Sequence, residues 1–289
     1  MPELPEVETI ARALRQGGRL LDGRQTPSIL GLEIQSGKLL WERSLAQPTP
    51  SELWQRLPGQ RIQDINRRGK FIVLSLNRDH LLFHLRMSGD LYALPQPDVL
   101  PDYTRFLLDL SGGLRLVFAD ARKFGRIWLT QDPQTVLGNL GPEPLDERFT
   151  AADLFERLHA RRRQLKPLLL DQTFLAGIGN IYADEALHLA RLHPLRLSTS
   201  LSMEEVQRLW AAIRHVLEEG IRRNGASIDW VYRGGDFQNS FRVYHRVGQP
   251  CPLCGTPIER IQVGQRGTHF CPYCQPLDRN ETEIRSIPG

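Results

Sequence analysis

The chain begins Met1-Pro2-Glu3-Leu4-Pro5-Glu6, and removal of Met1, which a small following residue permits, leaves a secondary amine beside a carboxylate. An α-amino group titrates near ~7.7–8.0 and a lysine near ~10.4, so at neutral pH roughly a tenth of a terminal amine is free base, against well under ~0.1% of an exposed lysine. A prolyl amine is somewhat more basic, which narrows this advantage without reversing it. Attack by such an amine on an aldehydic carbon gives an iminium that is cationic without a further proton and acts as an electron sink for elimination. Glu3 is the nearest group able to move protons for it. The same residues also make an ordinary helix start. Pro5 suits the first helical turn, Glu6 and Glu8 suit the positive end of the helix dipole, and Val7, Ile10 and Leu14 recur at helical spacing. The two readings are compatible, because such a helix would hold the amine rigidly.

The second chemical signal is at the other end of the chain. Cys251-Pro252-Leu253-Cys254 and Cys271-Pro272-Tyr273-Cys274 are two C-x-x-C pairs with sixteen residues between them. That spacing matches two knuckles facing each other across a hairpin, with four thiolates closing a structural zinc site that leaves no position for a catalytic water. The metal would hold Val263 to Phe270 as a rigid hairpin carrying Arg266. His269 is a fifth candidate ligand that four cysteines make unnecessary.

Composition bounds the rest. Thirty-seven basic against 33 acidic residues give a net charge of +4 and a sequence pI near 9.0, which allows a polyanionic partner without requiring one. Charged residues from Glu3 onward rule out a cleavable signal, and no apolar run approaches a membrane span. We therefore expect a cytoplasmic protein, monomeric, with no membrane partner.

The elements that must position these groups fall into two classes. From about Leu32 to Leu129 the pattern is of short strands, among them Phe71–Leu76, Leu81–Leu85, Phe106–Leu110 and Leu114–Phe118, with turns at Asn77-Arg78-Asp79 and Ser111-Gly112-Gly113. This predicts a β-sandwich or barrel beside the N-terminal helix. Three segments there carry side chains that a core does not request: the basic turn Asn66-Arg67-Arg68-Gly69-Lys70, the strand end Arg86-Met87-Ser88-Gly89, and Asp120-Ala121-Arg122-Lys123-Phe124-Gly125-Arg126, an aromatic within a basic loop. That last mixture suits phosphate neutralisation and insertion beside bases. A solvated turn, a core-filling methionine and a buried phenylalanine are the plain alternatives.

Residues 132–149 read as a linker, and beyond them the chain turns helical. Helices are predicted over Ala151–Arg163, Leu165–Gln172 and Ile181–Leu192, and the capping pattern Ser202-x-x-Glu205 opens a long stripe from Val206 to Ile221. Gly177-Ile178-Gly179-Asn180 is a tight turn before a helix, able to present backbone amides to a phosphate.

Taken in order, these segments resemble the formamidopyrimidine-DNA glycosylase family of bacterial base-excision enzymes. The matching pieces are Pro2-Glu3-Leu4-Pro5-Glu6-Val7-Glu8-Thr9, Arg67-Arg68-Gly69-Lys70, His84-Leu85-Arg86-Met87-Ser88-Gly89 and Asp120-Ala121-Arg122-Lys123-Phe124-Gly125. Leu140-Gly141-Pro142-Glu143-Pro144-Leu145, Gly177-Ile178-Gly179-Asn180-Ile181-Tyr182-Ala183 and the finger from Cys251 to Gln275 complete the set. The resemblance implies an α+β fold: an N-terminal helix with a catalytic β-sandwich domain (1–135), a linker (136–150), a helix–two-turn–helix DNA-binding domain (151–246), a zinc finger (247–275) and a tail (276–289). It implies removal of oxidised purines such as 8-oxoguanine and formamidopyrimidines from double-stranded DNA, followed by lyase cleavage through β,δ-elimination.

In that family's terms Pro2 attacks C1′, Glu3 assists ring opening, and Lys70 holds a phosphate beside the lesion. Met87, Arg122 and Phe124 fill the gap left by the flipped base. Asn180 and Arg266 clamp phosphates, while Cys251, Cys254, Cys271 and Cys274 bind one structural Zn2+. The chain departs from the pattern in three places. Tyr103-Thr104-Arg105 stands where two histidines are common, the Ala226–Phe237 loop that would cover the extruded base is shorter, and Thr26–Pro50 is longer. A related glycosylase for oxidised pyrimidines is the first rival, disfavoured by Leu4 where that branch usually has glycine. A non-catalytic zinc-finger DNA-binding protein is the second.

Overall fold

The computed structural model describes residues 1–19, 25–96, 99–227 and 235–277. The chain forms two compact units that are discontinuous in sequence, the first made of Met1–Asn139 and Gly220–Gln238, the second of Leu140–Glu219 and Asn239–Gly289. The sequence predicts successive blocks, whereas the segment after Glu219 returns to the first unit. A side chain from the chain's start accounts for this: Glu6 accepts a hydrogen bond from the Ala226 amide at 2.7 Å.

Helix α1 (Leu4–Gln16) opens the first unit, with Glu3 as N-cap and a reciprocal capping box between Glu3 and Glu6. Leu4, Val7, Ile10, Ala11 and Leu14 are its buried stripe. After a two-stranded ribbon (β1, Gly18–Arg19; β2, Gln25–Thr26) come two sheets. One has the order β3 (Ile34–Leu39), β9 (Thr104–Leu110), β10 (Leu114–Asp120), β8 (Gly89–Pro95). The other has the order β4 (Leu45–Gln47), β11 (Arg126–Thr130), β7 (His80–His84), β6 (Phe71–Leu76), β5 (Ile62–Arg68). Phe83 and Leu74 of the second sheet share one buried cluster with Phe106, Leu108 and Phe118 of the first. The expected sandwich is therefore present. The long Thr26–Pro50 segment also acquires a role, since it supplies the edge strands β3 and β4, one to each sheet. Helix α2 (Pro50–Arg56) follows, capped by Thr49, and its Trp54 stacks on Phe106.

The linker contains one helical turn, α3 (Gln134–Leu137). In the second unit α4 (Ala151–His159) and α5 (Leu165–Leu170) are shorter than the periodicity predicts, and α6 (Asn180–Leu189) starts one residue earlier. α7 (Met203–Arg222) follows its amphipathic stripe. The finger hairpin pairs β12 (Glu259–Val263) with β13 (Arg266–Phe270). No helix among the described residues is long and apolar enough to cross a membrane.

Candidate active site and metal centre

Pro2 is buried, Met1 before it is 40% exposed, and Glu3 is 2% exposed. The Glu3 amide donates to Glu6 Oε2 at 2.7 Å, so one Glu6 carboxylate holds both the residue next to Pro2 and Ala226. A Cβ on Gly225, whose φ is +79°, would lie 2.6 Å from Glu6 Oε1; only glycine permits this approach. Helix α1 lies against β5, β6 and β8. Arg15 donates to the Ile65 carbonyl at 3.0 Å, and Arg67 donates to Glu8 at 3.1 Å. Burial pushes the Glu8 carboxyl up, but Arg67 and Arg12 outweigh it and hold it below its ordinary value. The turn carrying Lys70, itself 5% exposed, is thereby tied to the first half of α1.

One rung of the five-stranded sheet gathers the remaining candidates of this unit. Phe71 pairs with His84, and His84 pairs with Arg126. Lys70, the Leu85–Ser88 segment and the Ala121–Gly125 segment all flank that rung, at one end of the sheet. Both of these last segments cross between sheets, from β7 to β8 and from β10 to β11, and the strands they join are neighbours at both ends. They therefore run side by side. On them Met87 is 41% and Phe124 55% exposed, while Arg122 Nη1 approaches Met87 Sδ at 3.7 Å. A methionine and a phenylalanine this exposed are not core filler. Lys123, in a left-handed conformation (φ 61°), places its ammonium 4.2 Å from the centre of the Trp41 ring.

His84 accepts from the Arg86 amide at 3.1 Å. Burial first, then the charges of Arg86 and Lys70, push its pKa down to about 3. Its folded value thus lies below the ~6.5 of the unfolded chain, so the unfolded state takes up the proton first as pH falls. The stability tied to neutral His84 is present above that pH and is lost as pH falls from there toward 3. Urea midpoints should accordingly drop between pH 7 and pH 5, and His84→Asn should show a flatter dependence.

In the second unit, Gly177 (φ +90°) donates its amide to Gln172 Oε1 at 2.9 Å, and Gln172 Nε2 donates to the Ile178 carbonyl at 2.8 Å. Gln172 thus builds the turn before α6, whose N-cap is Gly179 with no side-chain cap. Asn180 Nδ2 donates to the Gly267 carbonyl of the finger at 3.0 Å, beside the exposed Arg266. Below this, Lys166 and Asp184, both fully buried, form an ion pair. Asp184 Oδ2 also accepts from the His269 amide at 2.9 Å and faces His269 Nδ1 at 3.1 Å. His269 therefore points to Asp184 and is not among the metal-competent residues.

That group, among the described residues, is Cys251, Cys254, Cys271 and Cys274, with all four Sγ atoms within 4.8 Å of one another. The Sγ atoms of Cys251 and Cys274 are 3.9 Å apart, and those of Cys254 and Cys271 3.5 Å. A tetrahedral zinc with Zn–S near 2.3 Å needs S···S of roughly 3.8 Å, so the residues fit one zinc ion. The knuckle amides of Leu253 and Cys274 donate to Cys251 and Cys271 Sγ. Burial and neighbouring thiols push the Cys274 thiol up, so four thiolates at this spacing need a cation among them.

Three family models match the chain: the formamidopyrimidine-DNA glycosylase N-terminal domain over residues 1–127, the H2TH domain of the same enzymes over 140–231, and a zinc finger found in FPG and IleRS over 248–277. The chain belongs to the formamidopyrimidine-DNA glycosylase family. A formamidopyrimidine-DNA glycosylase of Chloroflexus aurantiacus is 48% identical, covering 95% of this chain and 98% of its own. That of Pelotomaculum thermopropionicum is 42% identical over 96% and 100%. The Lactococcus lactis Fpg (MutM) bound to an N7-benzyl-Fapy-dG DNA superposes with a TM-score of 0.86 at 34% identity, covering 96% of this chain and all of that one. MutM in complex with carbocyclic 8-oxo-G DNA gives 0.85 at 35% identity.

Against this glycosylase framework, sequence reasoning passed over three residues: Glu6 as the tie to Ala226, Gln172 as the builder of the Asn180 turn, and Asp120. For Gln172 a signal existed, a polar residue five positions before a double-glycine turn. For Glu6 and Asp120 the partners that matter, Ala226 and Ser88, are remote in sequence. Of the loop expected to cover an extruded base, 228–234 lies outside the described residues, as does 278–289 of the tail.

Proposed function

We propose that this chain is a base-excision glycosylase and lyase for oxidised purines in duplex DNA, with the N-terminal amine as its nucleophile. The observation that carries this reading is the start of α1, where Pro2 stands next to a buried Glu3 whose backbone is fixed by Glu6. The Pro2 amine attacks C1′, the glycosidic bond breaks, and the base departs with its electron pair and a proton. Glu3 delivers a proton to the sugar ring oxygen as the ring opens, leaving an iminium between Pro2 and C1′. Loss of the C2′ proton then expels the 3′ phosphate, a second elimination expels the 5′ phosphate, and water releases Pro2. Lys70 holds a backbone phosphate beside the sugar. Asn180, at the uncapped start of α6, and Arg266 hold others. Met87 and Phe124 occupy the stack left by the extruded base, and Arg122 faces the orphaned partner base. Zinc holds the finger hairpin in shape and takes no part in the bond changes.

The L. lactis and MutM neighbours, bound to Fapy-dG and 8-oxo-G DNA, and Leu4 in the opening motif support the purine preference. Duplexes carrying 8-oxoguanine or an oxidised pyrimidine should be cut with clear preference for the first, and equal or reversed rates would overturn the lesion assignment. Phe124→Ala removes the exposed ring that offsets unstacking worth a few kcal/mol. Base excision should therefore slow roughly tenfold or more, and cleavage of a preformed abasic site much less. Parallel time courses on the two duplexes check this, and equal slowing would return Phe124 to a packing role.

A further inference from the structure

We infer that the Asp120 carboxylate is a positioning residue that binds the Met87 crossover and the Arg122–Phe124 crossover into one rigid insert. The inference rests on the reading of those three side chains as the group that fills the vacated base position.

Asp120 ends β10 opposite Gly89, the first residue of β8, and is 1% exposed. Its Oδ1 accepts from Ser88 Oγ and from the Arg122 amide, the latter at 3.2 Å, and its Oδ2 accepts from the Gly125 amide at 2.7 Å. The Arg122 amide also donates to Ser88 Oγ at 3.1 Å. One carboxylate therefore touches the residue after Met87, the Arg122 backbone and the residue after Phe124. Its own backbone is held as well: the Asp120 amide donates to the Tyr103 carbonyl at 3.0 Å, and Arg105 Nε donates to the Asp120 carbonyl at 2.7 Å. A Cβ on Gly125 would meet Phe118 Cζ at 2.3 Å and Asp120 Oδ2 at 3.1 Å, so the close approach to Oδ2 depends on glycine there.

A buried carboxylate joining two surface crossovers does more than cap a turn. Arg86 and Lys123 adopt left-handed conformations, with φ of 56° and 61°, which persist only where surrounding bonds over-determine the backbone. For Arg86 the bond comes from His84 Nδ1; for Lys123, Asp120 holds the flanking Arg122 and Gly125 amides on the core side, while the Lys123 ammonium over Trp41 holds the loop from the other. The exposed Met87 and Phe124 are thus displayed on a base that need not be ordered again at each insertion.

A carboxylate only accepts, so an isosteric amide cannot replace it. With the Asn oxygen toward Gly125, the NH2 faces Ser88 and Arg122; the serine hydroxyl can turn round to accept, but the Arg122 N–H cannot. The test is a double-substitution cycle in the full-length zinc-loaded enzyme, following single-turnover excision of 8-oxoguanine and cleavage of a preformed abasic site. Asp120→Asn should slow excision on the order of tenfold, with a smaller effect on abasic cleavage. Ser88→Ala, which removes the hydroxyl from Asp120 and from the Arg122 amide but keeps the carboxylate's own bonds to Arg122 and Gly125, should act in the same direction more weakly. Asp120→Asn combined with Phe124→Ala should slow excision by clearly less than the product of the two single defects, because the ring is gone and only Met87 and Arg122 remain to be positioned. Multiplicative defects, equal slowing on both substrates, or unchanged excision would overturn the inference. If Asp120→Asn does not fold, Ser88→Ala with Phe124→Ala completes the same cycle, and a silent Ser88→Ala overturns it. A Phe124→Ala enzyme with no preferential loss of excision would overturn the gap-filling reading itself, an outcome visible in that single variant.

Discussion

Protein carrying an uncleaved Met1 or an added N-terminal tag should bind lesion duplex and yet give no covalent adduct when borohydride is present during turnover. The mature chain should give one, mapping to the N-terminal peptide. Reduction fixes an iminium only if an amine carries the sugar, and acylating the Pro2 nitrogen delocalises its lone pair into the amide and leaves no proton to lose, so no iminium can form. The expected loss of trapping and strand cleavage is at least about a thousandfold, the scale of removing a nucleophile from a positioned site. Pro2→Gly keeps a processed, primary amine at the same place on α1 and should retain part of the trapping. Glu3→Gln separates the steps. Attack on a preformed abasic site, already in equilibrium with its aldehyde, should persist, while base excision falls by roughly a hundredfold or more for want of a proton donor to the ring oxygen. An adduct on Lys70, or full activity from a tagged chain, would defeat the assignment and make Lys70 the next candidate amine.

Removing the zinc should weaken DNA binding strongly and leave the first unit folded. The finger's buried apolar cluster is Val243, Cys251, Ile258 and Cys271, with Cys274 against it, and a hairpin of two five-residue strands is not stable alone. Metal binding in such modules supplies ~10–16 kcal/mol of folding free energy. Once it is withdrawn, β13 takes His269 away from Asp184 and Gly267 away from Asn180. The presentation of Arg266 is lost, and the buried Lys166–Asp184 pair loses the donors that complete it. Two fewer charge-assisted phosphate contacts correspond to an affinity loss on the order of tenfold to a hundredfold or more. Titration of lesion duplex by fluorescence anisotropy, before and after chelation, measures it. The sandwich holds no cysteine, and its core of Phe83, Phe106 and Phe118 should keep its near-ultraviolet dichroism. Full affinity after verified zinc release would reject this account.

Features that depend on near neighbours are legible in the residues alone. Two C-x-x-C pairs at this separation specify a four-thiolate zinc site whatever surrounds them, and the Val206–Ile221 stripe and the Ser202–Glu205 capping pair specify α7. Phe71–Leu76 and Leu114–Phe118 reveal strands because β-branched and aromatic residues recur between turn signals. Their pairing was not legible. Met87 and Phe124 stood out as misplaced side chains, but that their segments cross between the sheets side by side follows from strand order, which no local pattern encodes. The ties that fix the site are of the same kind. Glu6 looked like a dipole-complementing acid at a helix start, and its bond to Ala226 spans 220 positions. Asp120 looked like the first residue of a loop, and its hydroxyl partner is 32 positions away. His269 is a superfluous fifth candidate ligand on spacing alone, and its partner Asp184 lies 85 positions off. Periodicity shows which faces are apolar and spacing shows which ligands can converge locally. A buried carboxylate's remote donors are chosen by the backbone that folding brings to it, so they emerge with the packed fold and not from any local pattern.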